Sequence, residues 1–187
     1  MAYESILVGS GKVYVADVAT AFPAVNAAPG VGWTDLGEFD GGVTATLEQT
    51  TVEHRIDSET GPVKATRSEE GLAISTNLAE ATLENLAKVL DDKTVTPAAG
   101  PPATKSMGMY RGGVVREYAL LFRGNSPYAA GVYAQFQVPR AYVASDSIGM
   151  SFVKDGKTLI PVEFRALVDP LAGTDAAKFG TLVAQTA

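Results

Sequence analysis

The chain has one histidine, His54, and no cysteine. Thiol catalysis, disulfides and Cys-ligated zinc are therefore closed to it, and a His-based triad or metal site would have to use His54 alone. His54 stands among Thr51, Glu53, Arg55 and Asp57, a polar setting that reads as solvated loop. Gly9-Ser10-Gly11-Lys12 has the outline of a phosphate-binding loop. The full pattern needs glycine at position 6 and Ser or Thr at position 13, where Ile6 and Val13 stand, and a helix where Val13 to Val18 reads as a strand. Ser151 and Lys154 match the Ser-x-x-Lys spacing used for acyl transfer, but on a predicted strand the two point to opposite faces. Glu69-Glu70 and Asp91-Asp92 are adjacent carboxylates, which point apart rather than facing each other across a cleft, and Asp91-Asp92 lacks the EF-hand spacing. Arg111, Arg116, Arg123 and Arg140 are separated by apolar strand residues and read as partners for intersubunit ion pairs or as solvated faces. No constellation here specifies catalysis, a cofactor or a metal, and the chain is expected not to be an enzyme.

Composition bounds the alternatives. The 187 residues carry a formal charge of −6, 46% hydrophobic and 19% charged residues. That is globular composition for one domain. An acidic chain lacks the clustered Lys and Arg that phosphate contacts demand. The segment Met1 to Leu7 has no Lys or Arg and no long apolar run, so a secretory signal is not expected. The densest apolar patch, Tyr118 to Phe122, is strand-sized and no run has the length of a membrane helix.

Period-two alternation and frequent turn residues predict a mainly β chain. Strands are expected over Ile6 to Val18 (broken near Gly9 to Gly11), Trp33 to Leu36, Val43 to Val52, Leu72 to Thr76, Lys105 to Tyr110, Val114 to Arg123, Tyr133 to Val143, Ile148 to Lys154 and Thr158 to Val168. Asp155-Gly156 reads as a hairpin turn and Asp40-Gly41-Gly42 as a turn. Ala19 to Gly32 and Pro97 to Pro102 read as loops. One helix is expected over Asn77 to Leu90, with Asn77 as N-cap, Glu80 completing a capping box, and Glu84 paired with Lys88. In Val43 to Val52 the alternation puts Val43, Ala45 and Leu47 inward and Thr44, Thr46, Glu48 and Thr50 outward. Glu53 to Glu70 is too polar for core and too long for a simple turn, and reads as a long loop or protruding hairpin.

The order of these features carries a resemblance. Trp33-Thr34-Asp35-Leu36-Gly37 is followed by Gly41-Gly42-Val43-Thr44-Ala45-Thr46, and then by the charged excursion around Ser58-Glu59-Thr60-Gly61-Pro62-Val63. One helix at Leu78 to Leu90 comes next. A strand-rich half then ends in Ile160-Pro161-Val162-Glu163-Phe164-Arg165-Ala166-Leu167-Val168-Asp169-Pro170. Over roughly residues 5 to 170 this resembles the tail tube, or major tail, proteins of long-tailed phages with non-contractile tails.

The resemblance implies an antiparallel β-sandwich or partial barrel with one flanking α-helix, whose inner strands join those of neighbours into a ring-shaped β-barrel. It divides the chain into a tail-tube domain, 1–170, and a C-terminal arm, 171–187. It implies a virion structural protein, assembled in the host cytoplasm, that self-assembles into stacked hexameric rings. Its partners would be itself and the tape-measure, tail-tip and terminator proteins, with DNA passing through the lumen without specific binding. Thr44, Thr46, Glu48 and Thr50 would face the lumen. The charged excursion, with Glu53, Arg55, Asp57, Glu59, Lys64 and Arg67, would reach the adjacent ring and order on assembly. From Val43 to Thr76 six carboxylates stand against three cations, so sixfold repetition would give a negative lumen that repels phosphate. The alternatives are another virion protein, a head–tail joining or capsid decoration subunit, or a β-sandwich binding module. The last would need an aromatic platform, whereas Trp33 is the only tryptophan and the tyrosines are scattered.

Overall fold

The computed structural model describes residues 11–152, 154 and 156–187. In chain order the elements are β1 (Lys12–Asp17), β2 (Thr34–Asp35), β3 (Phe39–His54), β4 (Lys64–Leu78), α1 (Leu83–Val89), β5 (Val95–Ala98), β6 (Thr104–Met107), β7 (Glu117–Asn125), β8 (Tyr133–Val143), β9 (Ile160–Ala166) and β10 (Thr181–Ala184). Eight strands form one antiparallel sheet in the order β2-β1-β7-β8-β9-β4-β3, with β10 added to β8. β5 and β6 form a separate hairpin that starts the chain's return from the helix. The predicted mainly β, antiparallel architecture with one α-helix is what forms. Among the described residues of one copy the sheet does not close, because its end strands β2 and β3 are not hydrogen-bonded to each other.

Alternation builds the core. Val13 and Val15 of β1, Tyr118 and Leu120 of β7, Ile160, Val162 and Phe164 of β9, and Ile74 and Leu78 of β4 all enter one buried cluster. In a flat sheet β1 and β4 would lie roughly 19 Å apart, four strand spacings. The cluster spans that distance through the strands between them and through Leu86 and Val89 of α1 and Leu90 at its C-cap. β8 changes parity at Pro139. Val138 pairs with Leu120 and Ala141 with Tyr118, so one strand keeps apolar side chains inward on both sides of the irregularity. Proline has no N–H for the ladder and is tolerated where the register breaks.

The loop predicted over Ala19 to Gly32 contains no strand and covers the opposite side of β7 and β8. Its Ala24 carbonyl accepts from Gln135, which is fully buried, and its Val25 carbonyl accepts from Arg123. Phe22 packs on Trp33 with ring centroids 5.3 Å apart.

Several local expectations are corrected. Asn77 does not cap the helix: it lies in β4, opposite Asp40 and Pro161, because sheet pairing on both sides outcompetes local capping. The cap is Thr82, whose hydroxyl accepts from the Asn85 amide at 3.2 Å. Glu80 instead accepts from the Glu38 backbone, and Lys88 pairs with Asp92 while Glu84 pairs with Lys105 of β6. Asp40-Gly41-Gly42 does not end a strand. β3 runs through it, with both glycines at φ +82° and a register shift between Asp40 and Val43. That is a bulge, which only glycine enters without strain. The described part of Ile148 to Lys154 forms no strand; Ile148 and Met150 pack against the core from irregular backbone. The Ile6 to Ser10 part of the first predicted strand, Gly9 and Ser10 of the glycine motif, Val153, and Asp155 of the predicted hairpin turn lie outside the described residues. The segment read as a C-terminal arm folds back, and its β10 pairs with β8 from Ala134 to Gln137.

Candidate assembly surface

β3 and β4 are far longer than the sheet they belong to. β3 has 16 residues and β4 has 15, against 7 in β9. Along β4, β9 pairs with Ala73 to Leu78, so among the described residues β4 from Lys64 to Leu72 has β3 as its sole strand neighbour. Beyond Ala73 the pair leaves the body as a two-stranded ribbon roughly 30 Å long, from the rise of about 3.4 Å per residue. Every residue from Thr44 to Glu70 is exposed, on both faces. The excursion read as a loop or hairpin from Glu53 to Glu70 is thus mostly ladder, and only residues 55–63 form the turn at the tip.

Register assigns the faces. On one, Ala45 opposes Ile74, Leu47 opposes Leu72, and Gln49 opposes Glu70; Ile74 belongs to the core, so this is the core side. On the other, Thr44 opposes Ser75, Thr46 opposes Ala73, Glu48 opposes Gly71, and Thr50 opposes Glu69. Thr44, Thr46, Glu48 and Thr50 therefore share a face, as alternation predicts. The inward placement of Ala45 and Leu47 is corrected: both are on the core side, yet the ribbon carries them past the core and Leu47 is 83% exposed.

The polar face continues across the sheet. Glu163 and Arg165 of β9 pair with Ser75 and Ala73, and Tyr142 of β8 pairs with Arg165. Arg165 Nε donates to Glu163 at 2.8 Å, and the Glu163 bond followed by the field of Glu163 and of Glu48 raises the guanidinium pKa further above its ordinary value. Beside them Arg140 makes a forked contact to Glu117, with the shortest approach 2.7 Å. Among Glu48, Glu69, Glu163 and Arg165 three carboxylates oppose one cation. The members on β9 were not named from the sequence, although Ile160, Val162 and Phe164 alternating with Pro161, Glu163 and Arg165 was the signal that could have found them.

The charged residues expected at the tip are dispersed. Arg55, Asp57 and Glu59 are in the turn, Glu53 is next to last in β3 and pairs with Arg55 at 2.9 Å, and Lys64 begins β4 opposite His54. Arg67 sits back along the ribbon, bonded to Gln49 and ion-paired with Glu70, because a register shift between Thr50 and Thr51 turns it to the core side. His54 ends β3 rather than lying in a loop; it is exposed and bonds Thr66 at 2.8 Å.

The remaining candidates have partners within the chain. Lys12 of the glycine-rich motif bonds Asp35 at 2.9 Å, which raises its pKa, and reaches Glu38 at 3.4 Å. The arginines read as intersubunit ion-pair partners or as solvated faces have contacts within the chain. Arg116 pairs with Asp17, Arg111 lies 3.6 Å from Asp91, and Arg123 lies over the Tyr133 ring at 3.7 Å. Asp91 and Asp92, at φ +62° and +57°, turn the chain out of α1 and are tied to Arg111, Arg116 and Lys88. Among the described residues no group of three or more His, Asp or Glu could hold a metal ion. No protein-family model and no curated protein sequence matches this chain.

Proposed function

We propose that this chain is a structural subunit that forms rings and, by stacking them, a tail tube of the kind built by long-tailed, non-contractile phages. The observation that carries the reading is the ribbon of β3 and β4. Two-stranded ribbons are marginal in water without a third strand or a packed face. This one exposes both faces, and among the described residues it leaves two edges without strand partners: the outer edge of β3, and the edge of β4 from Lys64 to Leu72. Exposed edges of that length invite pairing with another chain.

Direction supports a ring. β3 and β4 are antiparallel. Setting β3 of one copy beside the free edge of β4 of the next keeps every pairing antiparallel, and a rotation that closes uses up all the edges. The polar face of Thr44, Thr46, Glu48, Thr50, Glu69, Glu163 and Arg165 would then line the lumen. Its four charged groups sum to −2 per copy, or −12 in a sixfold ring, a wall that DNA phosphates do not adhere to. The tip, residues 55–63, would reach the neighbouring ring.

The test is negative-stain electron microscopy of the purified protein at rising concentration, alone and with tail-tip components. Rings or tubes with a central hole are the expected result. A chain that stays monomeric under all these conditions refutes the reading.

A further inference from the structure

β9 and β10 lie in one row of the sheet. β7 occupies one edge of β8, so β9, at Ala141 to Val143, and β10, at Ala134 to Gln137, share the other. The second neighbour of β9 is β4. Past the end of β9 the free edge of β4 therefore looks across at β10. Counted through the paired strands, Thr181 to Ala184 fall level with Ser68 to Ala65, to within about one residue for the irregularity at Pro139. The two edges run antiparallel, because β10 has the direction of β9 and β4 opposes it. Among the described residues neither has a strand partner on that side. A cleft of about 700 Å³ separates them, with Leu47 and Leu72 on the ribbon side and Thr181 and Leu182 on the other. β10 presents its hydrogen-bonding groups to this cleft. The Gln185 amide donates to the Tyr133 carbonyl at 3.0 Å, so by alternation Val183 and Thr181 also face β8, while the N–H and C=O of Leu182 and Ala184 point towards the ribbon.

We propose that β10 guards the free edge of β4: in the lone subunit the ribbon closes onto β10, and the β3 strand of a neighbour must displace it to pair with β4. The guarding role rests on the ring reading, which supplies the neighbour's strand. Closure needs no rearrangement of topology, since the level and the antiparallel direction are already those of a continuing sheet. It satisfies the outward groups of Leu182 and Ala184. It also covers Leu47 and Leu182, which are 83% and 61% exposed, and burial of apolar surface favours that. A long edge meant for another chain is a liability before assembly, and covering it is one way native sheets prevent unwanted pairing. Each backbone group on the β4 edge takes one strand partner, so closure onto β10 and pairing with a neighbour exclude each other.

The absence of cysteine makes the test specific. Ser68→Cys is combined with Thr181→Cys and, one residue along, with Leu182→Cys, and each double variant is oxidised at a concentration where the chain is monomeric. A disulfide needs Cα atoms within about 7 Å. Closure should therefore give a faster-migrating monomer band on a non-reducing gel, and its absence from both variants overturns the proposal. The oxidised protein should form no tubes, and reductant should restore them. Tubes from the oxidised protein overturn the guard and leave the ring reading standing. A companion variant, Ala184→Pro, replaces an outward N–H with ring atoms on an edge where proline is tolerated. It should melt as the parent does and form tubes at a lower concentration; an unchanged or higher concentration overturns the guard. A cross-link in protein that forms no tubes even when reduced, with tail-tip components present, keeps closure but overturns the ring reading and the guarding role with it.

Discussion

Replacing Glu48 with lysine tests the lumen assignment through charge alone. The side chain is exposed and faces Gly71 across the ladder, so there is room for lysine without repacking. Losing the Glu48 field at Arg165 costs little, because solvent screens exposed charges. The folded monomer should therefore melt like the parent. The charge of the face changes much more. Glu48, Glu69, Glu163 and Arg165 sum to −2, and the substitution brings the sum to zero, a change of twelve units in a sixfold ring. Each lysine that neutralises a phosphate contributes a salt slope of about −0.9 in log K against log salt, so six contacts in one ring give about −5. The assay is retention of duplex DNA by purified tubes from low to physiological salt. Parent tubes should retain none, and Glu48→Lys tubes should retain DNA at low salt and release it steeply as salt rises. In intact virions the same change should slow ejection in a salt-dependent way. Tubes of the variant that retain no DNA at low salt would show that this face does not line a channel. A folded variant that fails to assemble would place Glu48 in a subunit interface instead.

Three other outcomes follow from named contacts. Replacing residues 55–63 by Asn-Gly, a turn suited to the two-residue connection between His54 and Lys64, should leave the melting temperature within a few degrees of the parent and abolish stacking in electron micrographs; normal tubes would refute a role for the tip. Gly180→Ala puts a Cβ 2.1 Å from the Gln137 carbonyl oxygen at φ +119°, a backbone cost on the order of 1–3 kcal/mol, and should free β10, read as faster proteolysis after Lys178. Tyr118 is 2% exposed and donates to the Lys88 carbonyl, and burial first, then Asp92 and Asp91, raises its pKa far above the ordinary tyrosine value. Its contribution to stability is full below pH 10 and is lost as pH rises towards the folded-state value. Phenolate absorbance should therefore show this group ionising only with the alkaline unfolding step, and Tyr118→Phe should remove that part of the pH dependence.

Alternation alone determined the strand content and the sorting of faces. Thr44, Thr46, Glu48 and Thr50 had to share a side because side chains alternate with period two, whatever the strand pairs with. The segment Tyr133 to Val143 was legible to the residue as a strand, although its alternation breaks at Pro139. The lone histidine and missing cysteine determined which chemistries were closed. Tertiary structure decided what local signals could not. Asn77 is a good cap by type, but strands on either side, whose partner residues are 37 and 84 positions away, hold it in β4. Gly41-Gly42 reads as a turn in isolation and is a bulge because β4 continues alongside it. The C-terminal strand is four residues with weak alternation, and only the edge of β8 gives it a partner. That Leu47 is on the core side yet out in solvent is decided by where β9 stops, since burial depends on neighbours and alternation reports only direction.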